Sequence, residues 1–295
     1  MTTIFSVMDY GAVGDGVTDD SEAFGKAWGD ACEKSDSIGT IEVPQGKTFM
    51  LKPLKFTGPC KSSSINFKVE GNIVAPSSTD AWTNDDDKSK WLEFVSIYGL
   101  IFNGGGQING HGSVWKNIYH FLSLFCCDHV FSIGSLGRDG DYATVENVYV
   151  SDCNITGATN GVRIKTWQGG SGYVRNVNFQ RITISNTKNP IIINQDYNDI
   201  IMNEFKKGAP KEKGSGLEIN GVIYEDVKGT SASEVAINLD CNSSQGCHGI
   251  TMHDINLTSE SSSSQVTASC INANGESISV SPEVSCLANK TPTPY

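Results

Sequence analysis

The sequence predicts an all-β protein, a parallel β-helix (solenoid) with a short capping helix at its N-terminal end, and three observations predict it. The first is composition: of 295 residues 31 are Gly, hydrophobic residues are 38% and charged residues 19%, the balance of many short strands joined by many turns. The second is repetition, since Val148, Val177, Val222 and Ile250 each open a similar unit, NVYVSDCNI, NVNFQRITI, GVIYEDVKG and GITMHDINL, at spacings of 29, 45 and 28 residues. The third is that the first three units are each followed, after a polar turn, by a second apolar strand, GVRIKT, PIIINQ and EVAINL. A unit too short to bury its own apolar face, repeated every ~20–50 residues, stacks on its neighbours to make one continuous core. No linker-like run divides the chain, so residues 1–295 read as a single domain.

Taken in order, a short strand is expected at Ile4–Met8. The run DYGAVGDGVTDDSEAF then makes a turn, and Thr18–Ser21 supplies N-cap chemistry. Ala23, Phe24, Ala27, Trp28 and Ala31 recur at helical spacing, which predicts one amphipathic helix over Asp20–Glu33. Its aromatics suit a lid over the open end of an apolar core better than a ligand site. Looser repeats follow, IEVPQGKTFML, SINFKVEGNIVA and LEFVSIYGLIFNGGGQING, and the acidic run Asp85, Asp86, Asp87 before Lys88 is read as a solvated loop. The longest spacing holds an insertion, roughly Tyr197 to Gly216 and rich in Lys, Gly and Asn. It is read as a loop leaving the coil, and such loops line the binding face of a solenoid.

Charge narrows the partners. With 22 Lys+Arg against 33 Asp+Glu the net charge is -11, which argues against nucleic acid or an anionic membrane; no apolar run is long enough to span a bilayer. Nine cysteines suit an oxidising compartment, with zinc and reactive thiols as the alternatives. No CxxC pair occurs, so zinc is not expected. Cys241 with Cys247, Cys270 with Cys286 and Cys32 with Cys60 could each close a loop, while the odd total leaves at least one thiol over. Asn154, Asn242, Asn256 and Asn289 begin N-x-S/T sequons, compatible with secretion and also common by chance in such a chain. The start MTTIFSVMDYG has no apolar core of a signal peptide, so either the leader is not part of this chain or the protein is not secreted by that route.

Against the acidic background one stretch stands out, NGVRIKTWQGGSG at 160–172. On a strand Val162 and Ile164 face inward while Arg163 and Lys165 share the outer face. Trp167 follows as an aromatic plate, and Gly169, Gly170 and Gly172 allow a sharp turn. A fixed cation pair beside an aromatic ring is a local site for an anionic ligand.

Several of these stretches together resemble plant polygalacturonases, the glycoside hydrolases that cut the galacturonan backbone of pectin. They include FSVMDYGAVGDGVTDDSEAF, VPQGKTFMLKPLKFTGPCKSSSINFKVEGNIVAPS, GQINGHGSVWK, SIGSLGRDGDYATVENVYVSDC, NGVRIKTWQGGSGYVRNVNFQ and NPIIINQDY, and span nearly the whole chain. The resemblance implies a right-handed parallel β-helix, a secreted cell-wall protein, pectin as the partner, a monomer and no cofactor. It implies that Arg163 and Lys165 anchor the carboxylate that each sugar carries, and that Tyr197 lines the same cleft. The family's signatures run N-T-D, D-D, G-H-G and R-I-K; the first two are missing here. Relatives have roughly three coils' worth of chain, at a solenoid period of about 25 residues, between the tryptophan turn and SIGSLG. Here Lys116 to Phe131 alone joins them. His129 stands at the step of the family's histidine, flanked by Asp128 and Val130 where relatives have glycines. Gly110-His111-Gly112 spells the same motif in an earlier turn and is read as a decoy.

Inverting hydrolysis requires an acid and a base carboxylate ~6.5–9.5 Å apart. Neither is identifiable from the sequence, and Asp128 is the one carboxylate beside a retained motif. Two functions therefore compete: a polygalacturonase in shortened form, with little or no turnover, and a β-helix that binds oligogalacturonides without cutting them. A calcium-dependent lyase would need an Asp/Glu cluster beside the RIK strand, and none accompanies it. If the chain passes through an oxidising compartment, non-reducing peptide mapping should recover Cys241 joined to Cys247 and Cys270 joined to Cys286; four free thiols there would refute both the pairing and the compartment.

Overall fold

The computed structural model describes residues 2–35, 37–81, 91–110, 129–197, 216–241, 245–261 and 264–289. In chain order the strands are β1 (Thr2–Ser6), β2 (Asp15–Asp19), β3 (Ile38–Val43), β4 (Thr48–Met50), β5 (Leu54–Thr57), β6 (Ser64–Val69), β7 (Asn72–Val74), β8 (Leu92–Val95), β9 (Leu100–Asn103) and β10 (Gln107–Asn109). They continue as β11 (His129–Leu136), β12 (Tyr142–Thr156), β13 (Asn160–Trp167), β14 (Ser171–Thr187), β15 (Asn189–Tyr197), β16 (Glu218–Ser231), β17 (Val235–Asp240), β18 (Cys247–Ser259), β19 (Thr267–Ile271), β20 (Ala273–Ser281) and β21 (Ala288–Asn289). The one α-helix among the described residues, α1 (Ser21–Lys34), lies between β2 and β3. The chain divides into two compact units, Met1–Val130 with Val148–Ala158, and Phe131–Asn147 with Thr159–Tyr295.

In the first unit two successive coils each give one strand to each of three parallel sheets. β3, β4 and β5 are followed by β6, β7 and β8, which pair with them in that order, and then by β9 and β10. β1 pairs with β3 and begins the largest sheet. Exact lateral pairing stacks Phe5, Ile41, Phe67 and Phe102 in one buried column, so one coil's apolar residue roofs the next and none needs a partner on its own coil. Parallel crossovers of this kind run right-handed in ~98% of cases, and the fold is the right-handed parallel β-helix that the sequence predicts.

Helix α1 covers this stack as a lid. It buries Ala23, Phe24, Ala27, Trp28, Ala31 and Cys32. Phe24 meets Phe49 edge-on at 5.5 Å, Trp28 lies 5.0 Å from Phe56, and the Trp28 indole N–H donates to the Thr57 carbonyl at 3.1 Å. Gly39 is needed here, because a Cβ on it would stand 2.5 Å from the Ala31 carbonyl oxygen. The helix start differs from expectation. Asp20 holds the N-cap position without capping through its side chain; its carboxylate, almost fully buried, accepts instead from the backbone N–H groups of Val13 and Gly14 at 2.7 and 3.1 Å. The loop before the helix is thus tied to the helix base. The first strand also ends at Ser6, two residues sooner than expected, and β2 lies within the run read as a turn.

The second unit repeats the principle with longer strands. β14, β16, β18, β20 and β21 form one parallel array, and β11, β13, β15, β17 and β19 a second. Val177 pairs with Val222 and Val222 with Ile250, so three of the four residues that opened the repeats stack in register; Val148 lies in the first unit, next to Tyr149, which pairs with Ile101. Each long strand is bent at left-handed residues rather than broken. Asn176, Gly221 and Gly249 (φ 54°, 69° and 60°) make one column of bends, and Arg181, Asp226, Asp254 and Ser279 (φ 51°, 49°, 53° and 56°) the next. Asn, Asp and Gly tolerate this region at least cost, which explains why those types recur there.

The disulfides Cys32–Cys60, Cys241–Cys247 and Cys270–Cys286 are present, with Cα–Cα distances of 4.5, 5.7 and 6.0 Å. Cys153 is the one free cysteine among the described residues; Cys126 and Cys127 lie outside them. So do Asp85–Asp87, most of the join at 116–131 and the insertion after Tyr197.

Phe67 is the hub of the first core, within 6.3 Å of Phe24, Phe56, Phe94 and Phe102. Phe67→Ala should cost about 3–5 kcal/mol, read as a lower urea midpoint with an unchanged slope; a shift below about 1 kcal/mol would mean that this column does not hold the coils together.

Candidate anion-binding site

Strand β13 carries the sequence-predicted cations. Val162 and Ile164 are fully buried, stacked on Ile191 and Ile193 of β15, which in turn stack on Ile237 and Leu239 of β17. Alternation sends Arg163 and Lys165 to the other face. The cations do lie opposite the core residues, yet they do not stand open to solvent: Arg163 is 4% and Lys165 3% exposed. The sequence could not show what lies over them.

A register shift supplies part of the cover. Lys165 pairs with Asn194, but Trp167 pairs with Tyr197, so Gln195 and Asp196 together face Thr166. Such a bulge re-aims the residue that follows it. It brings the Tyr197 ring to the Lys165 ammonium, 3.5 Å from Nζ to the ring centroid, with the Arg163 guanidinium carbon at 5.8 Å. Tyr197 is itself 5% exposed, and Trp167 meets it edge-on at 5.0 Å. The bulge is pinned from inside, because the buried Gln195 amide donates to the Leu217 carbonyl at 2.7 Å.

The electrostatics follow from the cover. Burial draws the Arg163 guanidinium below its ordinary value, offset in part by Tyr197, but a guanidinium stays charged in a protein. A cation on an aromatic face is worth about 2 kcal/mol or more when desolvated, so the Tyr197 ring stands in for water at Lys165. Two buried positive charges thus lie beside one ring.

Tyr197, expected from resemblance to line the same cleft, lies with its ring centre 3.5 Å from the Lys165 ammonium and 5.8 Å from the Arg163 guanidinium carbon. His129 is the first residue of β11, whose neighbour in the sheet is β13. Asp128 and His111 lie outside the described residues. Asp152 stands at a left-handed bend of β12 in the first unit. Beside it the Cys153 thiol is pushed up to about 12, by burial first and by Asp152 second, so it is not a nucleophile at neutral pH. On the sheet of β11, β13, β15, β17 and β19 the carboxylates are Asp196 and Asp240. Asp240 pairs with Asn194, which pairs with Lys165, so its backbone lies two strands away, roughly 10 Å at ~4.8 Å per strand. The sequence reading missed Asn194 and Asp240; counting alternation outward from Ile193 and Leu239 would have put both on the cation face. Among the described residues no three His, Cys, Asp or Glu side chains gather as a metal site.

The chain is similar to known proteins. The family profile described as Glycosyl hydrolases family 28 matches residues 32–120 and 117–286. A probable polygalacturonase of Arabidopsis thaliana is 35% identical over 97% of this chain and 81% of its own length. A polygalacturonase of Persea americana is 32% identical over 92% and 77%. Among solved structures an endo-xylogalacturonan hydrolase of Aspergillus tubingensis is similar at 17% identity with a TM-score of 0.46, covering 99% of each chain; the architecture stands on the strand pairing itself.

Tyr197→Ala should uncover Lys165. In the native protein Lys165 should resist acetylation while exposed lysines such as Lys26 react, and in Tyr197→Ala its labelling should rise at least tenfold by site-resolved mass spectrometry. Equal labelling of Lys165 with and without the ring would show that Tyr197 is not its cover.

Proposed function

The chain belongs to glycosyl hydrolases family 28, and from that premise we propose that it is a polygalacturonase-type glycoside hydrolase that receives galacturonan at Arg163, Lys165 and Tyr197, in a form with little or no turnover. One observation carries the binding half of this reading: two cations and a tyrosine meet on one strand pair of a chain whose net charge is -11. Galacturonan offers a carboxylate on every sugar, and a guanidinium with an ammonium a strand step away can take one from both sides. The Tyr197 ring then exchanges its cations for the ligand and stays as a wall for the sugar.

The low turnover rests on what the chain lacks. Inversion needs an acid for the leaving oxygen and a base for water, ~6.5–9.5 Å apart, and the aspartate signatures N-T-D and D-D do not occur in the expected segment. Two features support a chain shortened by about three coils at 116–131. The two family matches meet at residues 117–120, and the alignment with the Arabidopsis relative extends over 377 residues, more than the 295 of this chain. In this reading residues 1–295 are one β-helix domain, a monomer acting at the cell wall outside the cell, and His129 keeps the position of the family's histidine. The second function, a binding protein that holds oligogalacturonides without cutting them, is favoured by the same pairing of an intact RIK strand with absent aspartates.

Calorimetric titration with a short galacturonate oligomer, beside reducing-end release from polygalacturonate, separates these outcomes. Arg163→Ala should weaken binding about tenfold to a hundredfold, the ~1.5–3 kcal/mol of a charge-assisted hydrogen bond. Release should fall short of an ordinary glycosidase by at least the ~10²–10⁴ that a positioned acid–base pair contributes. Turnover at ordinary rates would mean a working carboxylate pair, to be sought first by changing Asp128, Asp152 and Asp240. Binding indifferent to Arg163→Ala would leave family membership without this site.

A further inference from the structure

The buried pair is not the end of the cationic row. Arg138, in the turn between β11 and β12, places its guanidinium carbon 5.3 Å from the centre of the Trp167 ring. Trp167 abuts Tyr197, and Tyr197 covers Lys165, so three successive contacts of 5.3, 5.0 and 3.5 Å link the Arg138 guanidinium to the Lys165 ammonium. Unlike the inner pair, Arg138 is half exposed, and it forms an ion pair with the exposed Asp139 at 3.7 Å, a contact of little worth in water.

Its position is built by backbone rather than by chance. Gly137 (φ +74°) and Gly170 touch so closely that a Cβ on either would lie 2.7 Å from the other's Cα. The turn that carries Arg138 can therefore press against the turn that follows Trp167 only because both residues are glycine. Asp139 (φ 56°) and Gly140 (φ 88°) continue the tight turn. A guanidinium stacked on an indole loses less freedom when it binds, because its plane is already held.

We propose that Arg138 is a specificity-determining residue that binds a second carboxylate of the same polymer, outside the one held by Arg163 and Lys165. This rests on the galacturonan reading above. A ligand with a carboxylate on each sugar can bridge an inner and an outer cation only if it is long enough and unesterified at both sugars. Arg138 thereby reads length and esterification, which the inner pair alone cannot. It also meets the incoming chain first, since it is accessible while the inner cations are covered.

The test is titration of the whole protein with digalacturonate, with hexagalacturonate and with fully methyl-esterified hexamer, for wild type, Arg138→Gln, Arg138→Lys and Arg163→Ala. The glutamine variant keeps the side-chain stem on Trp167 and removes the charge, and its melting temperature is recorded beside wild type. The loss on Arg138→Gln should grow with length, slight for the dimer and about three- to tenfold for the hexamer; Arg138→Lys should recover part of it, and the ester should bind both proteins alike. Arg138→Gln binding the hexamer as wild type does, while Arg163→Ala loses it, overturns this inference and leaves the galacturonan reading in place. Equal loss for dimer and hexamer, or a loss that Arg138→Lys does not relieve, reduces Arg138 to a support of the turn and also overturns it. Wild type that binds no galacturonate at all overturns both.

Discussion

Lateral stacking of equivalent residues, one coil on the next, is the constraint on which everything else here depends. Val177 over Val222 over Ile250, and Phe5 beside Ile41, Phe67 and Phe102, are pairings of the same place in successive turns. A residue in such a column gains burial from the coils before and after it. The outer face inherits the same order, so that Lys165, Asn194 and Asp240 fall in one row because Ile164, Ile193 and Leu239 do. A site on this fold is therefore a set of positions in rows, and its shape is decided wherever a row is disturbed.

The row is disturbed once beside the cations, and that disturbance makes the site. Without the extra residue on β15, Asp196 rather than Tyr197 would pair with Trp167. With it, the ring settles on Lys165 and supplies part of the cover of the pair. Arg163 and Lys165 are buried, whereas Arg138 is half exposed. On the proposed galacturonan reading, low local dielectric strengthens the inner charge contacts once an anion has replaced the ring, while an exposed guanidinium acts on approach and on selection.

Much of the fold was legible in the sequence because a solenoid writes its period directly into the chain. The repeats opening at Val177, Val222 and Ile250, the helix with Phe24 and Trp28 inward, and three disulfides all follow from spacing and alternation. What escaped was of another kind. The side-chain turn of Asp20 toward Val13 and Gly14 is a choice between two sets of backbone donors, which a capping pattern does not decide. The left-handed bends at Arg181 and Ser279 occupy positions where no glycine announces them. The cation pair was placed on its proper face, but its cover arises from a one-residue offset between strands about 30 residues apart in sequence, and alternation within one strand carries no trace of that. Arg138 reaches Trp167 through a glycine contact between separate turns, equally invisible to local pattern.

Whether the Arg163–Lys165 strand receives galacturonate under the Tyr197 ring is decided by a crystal structure with a bound galacturonate oligomer. A uronate carboxylate is expected within hydrogen-bond distance of both the Arg163 guanidinium and the Lys165 ammonium, with the Tyr197 ring moved off Lys165. An oligomer bound elsewhere, with the ring still seated 3.5 Å over the ammonium, would contradict this.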